Sequence, residues 1–170
     1  MKTSKSIRIL IASCVVAALS ASPALAICSV QGLELMRNLN GPWRGKGAVT
    51  PIGGMPEFVS CRISYSMAAA DVINQVIACA GTDYKLEAMS QVTCIGSRLE
   101  GWFEDRTAHQ SGRVSGEISG NYLFIEADSA GFKGNFKVTF KSETDHLVAI
   151  TQADHATGRQ VPVASIKLTR

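Results

Sequence analysis

The chain predicts an all-β fold: an antiparallel up-and-down β-barrel of eight to ten strands with a short N-terminal helix. Three observations carry this expectation. From Trp43 onward the sequence is a series of short runs with period-two alternation, separated by Gly, Pro, Asn and Asp. No long helical stretch lies between those runs, so the strands connect as hairpins rather than by parallel crossovers. So many short strands would leave exposed edges unless the sheet closed on itself.

The first 26 residues come before this pattern and differ from it. Lys2, Lys5 and Arg8 form a basic start, Ile9 to Ala21 is almost wholly apolar, and Ala24-Leu25-Ala26 has the small-x-small form that a signal peptidase cleaves. The expectation is a secretory leader, too short and wrongly flanked to remain as a membrane span. Residues 27–170 then form one domain, long enough for a real core, in the periplasm or outside the cell. Ile27 precedes Cys28, so the cysteine is not the first mature residue, as lipid attachment would require.

Between Cys28 and Leu39 the apolar residues Val30, Leu33, Met36 and Leu39 recur at helical spacing, and Asn40-Gly41-Pro42 ends the run. Strand patterns follow. Val59, Cys61, Ile63 and Tyr65 share one face, with Ser60, Arg62 and Ser64 on the other. Residues 69–80 fit a helical stripe, but Val72-Ile73 and Val76-Ile77 are β-branched and favour a strand. Tyr84, Leu86 and Ala88 alternate with Lys85 and Glu87, and Val92 to Trp102 makes a further strand or hairpin. Val114 and Ile118 lie on the reverse of Arg113, Ser115, Glu117 and Ser119. Phe132, Gly134, Phe136, Val138 and Phe140 alternate with Lys133, Asn135, Lys137, Thr139 and Lys141, the clearest strand in the chain. Residues 147–151 and 163–169 supply the closing strands.

Loss of the leader removes three positive charges and leaves 14 basic against 14 acidic residues. Without a basic excess or a basic run, no nucleic-acid or anionic-membrane partner is expected. The mature chain has four cysteines, Cys28, Cys61, Cys79 and Cys94, an even number in an oxidising compartment. Four allow three pairings. Cys61 and Cys79 flank a short excursion between two strand-like runs, and a second bridge from Cys28 to Cys94 would restrain the N-terminus. None of the cysteines has metal-ligand spacing, and none lies near His109, His146 or His155, so disulfides rather than a metal are expected.

No catalytic constellation emerges. The sequence has no GxSxG elbow, HExxH or phosphate-binding glycine loop. Glu100, Glu104 and Asp105 gather around Trp102, a pairing of carboxylates and an aromatic that glycoside hydrolysis uses, but Arg106 is adjacent and a polar hairpin tip explains the same residues. Asp145-His146 and Asp154-His155 are adjacent along strands or turns, which points the partners of each pair apart. The aromatic residues are more informative: Trp43, Trp102, Phe132, Phe136 and Phe140 are the candidate ligand-binding residues, either filling a small barrel or lining an apolar pocket in a wider one.

Gly41-Pro42-Trp43, at the entry to the first strand, resembles the G-x-W signature of lipocalins, and Thr82-Asp83-Tyr84 resembles their T-D-Y element, although the two lie closer together than in that family. The resemblance implies a lipocalin-like barrel that carries a small hydrophobic ligand. Over most of its mature length the chain also resembles small exported alphaproteobacterial proteins of unknown function. The residues that carry this are Gly41, Trp43, Gly45 and Gly47, Cys61-Arg62, Gln75 with Cys79-Ala80, and Gly101 with Gly112 to Gly116. The expected function is binding of a small apolar or amphipathic molecule, without a cofactor and without catalysis. The alternative is a filled barrel whose surface binds an envelope protein as an inhibitor or structural accessory. A solid interior would mark the alternative, and a cavity the leading expectation.

Overall fold

A computed structural model describes residues 27–170; the expected leader, residues 1–26, lies outside the described residues. One helix, α1 (Val30–Leu39), is followed by ten strands: β1 (Gly41–Val49), β2 (Glu57–Ala69), β3 (Val72–Ala80), β4 (Lys85–Ile95), β5 (Arg98–Asp105), β6 (Gln110–Ser119), β7 (Tyr122–Asp128), β8 (Lys133–Ser142), β9 (Asp145–Ala153) and β10 (Gln160–Thr169). Each strand pairs antiparallel with its neighbour in the chain, and β1 pairs with β10, closing the barrel. The expected up-and-down barrel with its leading helix is the fold.

Residues 72–80 are strand, as their β-branched side chains favour. They run against β2 in a register that sets Cys79 directly opposite Cys61, and the two form a disulfide. Strand β7 lacks the period-two pattern that marks the other strands in the sequence. Leu123 and Ala127 are buried inside while Tyr122 and Phe124 lie on the other face, so apolar residues occupy both sides and the alternation is lost. Lys137 covers Tyr122 from outside, its ammonium 4.9 Å from the ring centre.

The helix closes one end of the barrel. Ser29 caps its N-terminus by accepting from the Gly32 amide, and the Asn40 amide donates to the Met36 and Arg37 carbonyls at the other end. Leu35, Met36 and Leu39 are buried against the strands. A helix this short is marginal alone. Here the Cys28–Cys94 disulfide and the Ser29 amide bond to the Gly96 carbonyl tie it down. Gly32 makes the tie sterically feasible, because a Cβ there would come within 2.7 Å of the Cys28 sulfur and 2.9 Å of Ile118. Gly112 serves the barrel wall in the same way: a Cβ would fall on the Asp128 carbonyl and on the Phe103 ring.

Candidate functional site: the barrel interior

Inward residues are set by strand parity. Ile63 and Tyr65 on β2, Ile73, Gln75 and Ile77 on β3, and Ser90 and Val92 on β4 all face the barrel axis. They line a cavity of about 450 Å³ that extends from Met36 and Leu39 of the helix, its floor, to the loops at the opposite end. Tyr84, Ala108 and Phe132, from three of those loops, border its mouth. The volume falls in the usual range for small-molecule sites, about 300–1,000 Å³.

The lining is chiefly aliphatic and aromatic, with one polar wall. The Gln75 amide nitrogen donates to the Tyr65 hydroxyl at 3.0 Å, and the Ser90 hydroxyl donates to the Gln75 amide oxygen at 3.0 Å. Burial pushes the Tyr65 phenol up to about 12, partly offset by the Gln75 bond, so it stays protonated. Its oxygen accepts from Gln75, which leaves its own proton to be donated into the cavity. The chain Ser90–Gln75–Tyr65 thus ends in a donor set in an apolar wall, suited to an oxygen acceptor on an otherwise apolar molecule.

The five aromatic candidates do not act together. Phe132 and Phe136 line the cavity, their ring centres 6.2 Å apart, and Phe103 joins them edge-on at 6.3 Å from Phe132. Trp43 and Phe140 face inward but sit below the cavity, outside its lining, packed around His146 at the helix end. Trp102 faces outward and is 41% exposed, because it alternates with Leu99 and Phe103, which point in. Of the five, Phe132 and Phe136 line the cavity, where Phe103, Tyr65, Gln75 and Ser90 join them. Phe103 was legible as the second inward position after Leu99. Gln75, a polar residue within a β-branched strand, was the signal for the polar wall.

The other titratable candidates are dispersed. Glu104 pairs with Arg106 at 3.6 Å on the surface, while Asp105 at the mouth accepts from the Thr107 and Ala108 amides. His109 occupies an exposed turn with φ of 52°. Asp154 caps the turn before β10 through the Ala156 and Thr157 amides, bonds that hold its carboxyl below the usual range. Among the described residues, no group of three His, Cys, Asp or Glu side chains is placed to hold a metal.

No protein-family model matches the sequence, and no curated protein matches it. The fold is similar to solved structures. The S-type phycobiliprotein lyase CPES from Guillardia theta matches with a TM-score of 0.62 at 11% identity, covering 81% of this chain and 90% of that one. Rv2717c from M. tuberculosis matches with a TM-score of 0.64 at 10% identity, covering 84% of this chain and 98% of that one. The chain therefore shares its barrel architecture with proteins whose sequences it scarcely resembles.

Proposed function

We propose that the protein is an exported, disulfide-stapled carrier that binds one small amphipathic molecule inside its barrel and does not transform it. The observation that carries this reading is the apolar cavity of about 450 Å³ with the Tyr65 hydroxyl presented from one wall. The ligand's apolar body rests against Phe103, Phe132 and Phe136, and an oxygen acceptor meets Tyr65. Non-catalytic binding fits the scatter of acids and histidines over outer strands, turns and the packed end. The leader-like residues 1–26, the two disulfides and the resemblance to small exported alphaproteobacterial proteins support the periplasm as its compartment.

The test is native mass spectrometry of the oxidised protein recovered from the periplasm of its source cells, followed by solvent extraction. The expected result is a chain beginning at Ile27 with one amphipathic adduct per chain. Phe136→Asp, verified as folded, loses the adduct. Tyr65→Phe weakens rebinding of the extracted molecule by roughly fivefold, the value of one hydrogen bond. A bare mass from freshly prepared protein, with no rebinding from the extract, overturns the carrier reading.

A further inference from the structure

We propose that the barrel docks on anionic lipid bilayers through the outer face of β10–β1–β2 and the hairpin between β1 and β2. Neutral overall composition hides this surface, because barrel closure gathers its charges from distant parts of the chain. Arg44 stands directly opposite Arg62 across β1 and β2, and Lys46 directly opposite Lys167 across β1 and β10. All four side chains are exposed and point outward. Directly opposed like charges destabilise a sheet, so two such pairs side by side are a cost to the free protein that an anionic surface would relieve. Among the described residues, Arg44, Lys46 and Arg62 have no ion-pair partner, and Lys167 has only Asp145 at 3.6 Å. The four cations border a shallow groove floored by small residues, Ser60, Ala78 and Ala80. The lining carries five cations, Arg44, Lys46, Arg62, Lys85 and Lys167, against two acids, Asp83 and Glu87, of which Glu87 pairs with Lys85.

An apolar tip continues this basic stripe. Two positions beyond Ser60 on the outer face of β2, Phe58 is 87% exposed; Met55 is 84% and Ile52 is 40% exposed in the adjoining loop. These are three of the seven large apolar side chains exposed among the described residues, and they lie within seven positions of one another. Cations beside a protruding apolar tip match the chemistry of a bilayer, phosphates outside and acyl chains beneath. An acidic protein or a soluble polyanion would use the cations but leave Phe58 and Met55 in water. The hairpin lies at the same end of the barrel as the cavity mouth, and docking does not depend on what the cavity holds.

The test is vesicle co-flotation of the processed, oxidised protein, its N-terminus verified by mass so that no leader remains. Equimolar phosphatidylglycerol and phosphatidylcholine vesicles are compared with phosphatidylcholine alone. The expected result is binding to the anionic vesicles that weakens with salt. Each Lys or Arg near such a surface contributes about a fivefold factor, so Arg44→Gln with Lys46→Gln lowers the partition coefficient by roughly 25-fold. Phe58→Ser with Met55→Ser also lowers it, while Trp102→Ser, an exposed aromatic on another face, leaves it unchanged. Circular dichroism and urea midpoints confirm that the variants are folded, and cavity binding of a neutral probe, followed in parallel, reports separately on the carrier reading. The proposal is overturned by absent binding, by equal binding to both vesicle types, or by binding that ignores the Arg44 and Lys46 changes. Retention on a soluble polyanion without vesicle binding also overturns it.

Discussion

The two ends of the barrel use the same kinds of side chain for opposite purposes. At the helix end Trp43 is 1% exposed and donates its indole N–H to the Leu39 carbonyl at 2.7 Å. His146 lies edge-on to it at 4.3 Å, and the Arg170 guanidinium covers it at 4.7 Å. At the loop end Phe103, Phe132 and Phe136 are only partly buried and face the cavity. One end is a packed plug that holds the strands in place; the other is a wall with space in front of it. An aromatic residue on the inner face of a barrel is therefore not by that fact a ligand contact. Its height above the plug decides.

The contrast makes stability depend chiefly on the helix end. Removing the Cys28–Cys94 bridge, with both residues changed to Ser, frees a span of 66 residues and is expected to cost about 4 kcal/mol on the chain-entropy estimate. The Cys61–Cys79 bridge spans 18 residues and should cost about 3 kcal/mol. Urea midpoints of the two double variants test that order, and a larger loss from the shorter bridge would break it. Trp43→Ala, which opens a void in close packing, should cost about 3–4 kcal/mol in the same assay.

His146 sharpens the comparison through pH. Burial first, then the positive charge of Arg170, lower its pKa from 6.5 to about 4 against the opposing pull of Asp145. The unfolded chain takes up this proton near pH 6.5 and the folded chain only near 4, so between those values the unfolded state binds more protons. The contribution is complete above pH 6.5 and is lost as pH falls, about 3 kcal/mol by pH 4. Neither ring nitrogen has a hydrogen-bond partner among the described residues. His146→Leu should therefore retain stability at neutral pH and flatten the acid limb of the urea-midpoint profile. An unchanged acid limb would show that other groups control it.

The smallest effect is expected at the loop end. Phe136→Ala should cost only about 1 kcal/mol, because the side chain already borders open space and its removal encloses no new void. The same change should weaken binding of an apolar probe. A loss comparable to that of Trp43→Ala would mean that the two ends are packed alike.

Most of the architecture was legible in the sequence because period-two alternation survives wherever one face is buried and the other solvated. It failed at Tyr122–Asp128, where Tyr122 and Phe124 make the outer face apolar as well. Residues 72–80 are strand because β-branching outweighs a coincidental helical stripe. The site was less legible. Alternation puts Phe132, Phe136 and Phe140 on one face, but says nothing of how far up that face the helix plug reaches. Trp102 is an aromatic beside a glycine, but parity with Leu99 and Phe103 points it outward. Lys46 and Lys167 stand 121 positions apart in the sequence and become neighbours only when β1 meets β10.

Binding inside the barrel requires that the loop half of the interior be hollow and accessible. Fluorescence titration of the oxidised protein with N-phenyl-1-naphthylamine, a neutral apolar probe, tests it most directly when Ala88→Phe and Trp102→Ala are titrated beside the unaltered chain. Ala88 faces the cavity, so the added ring should occupy the space the probe needs. The expected result is saturable binding of one probe per chain, abolished by Ala88→Phe and unaffected by Trp102→Ala. Absent saturable binding, or binding that survives Ala88→Phe and disappears with Trp102→Ala, would contradict it.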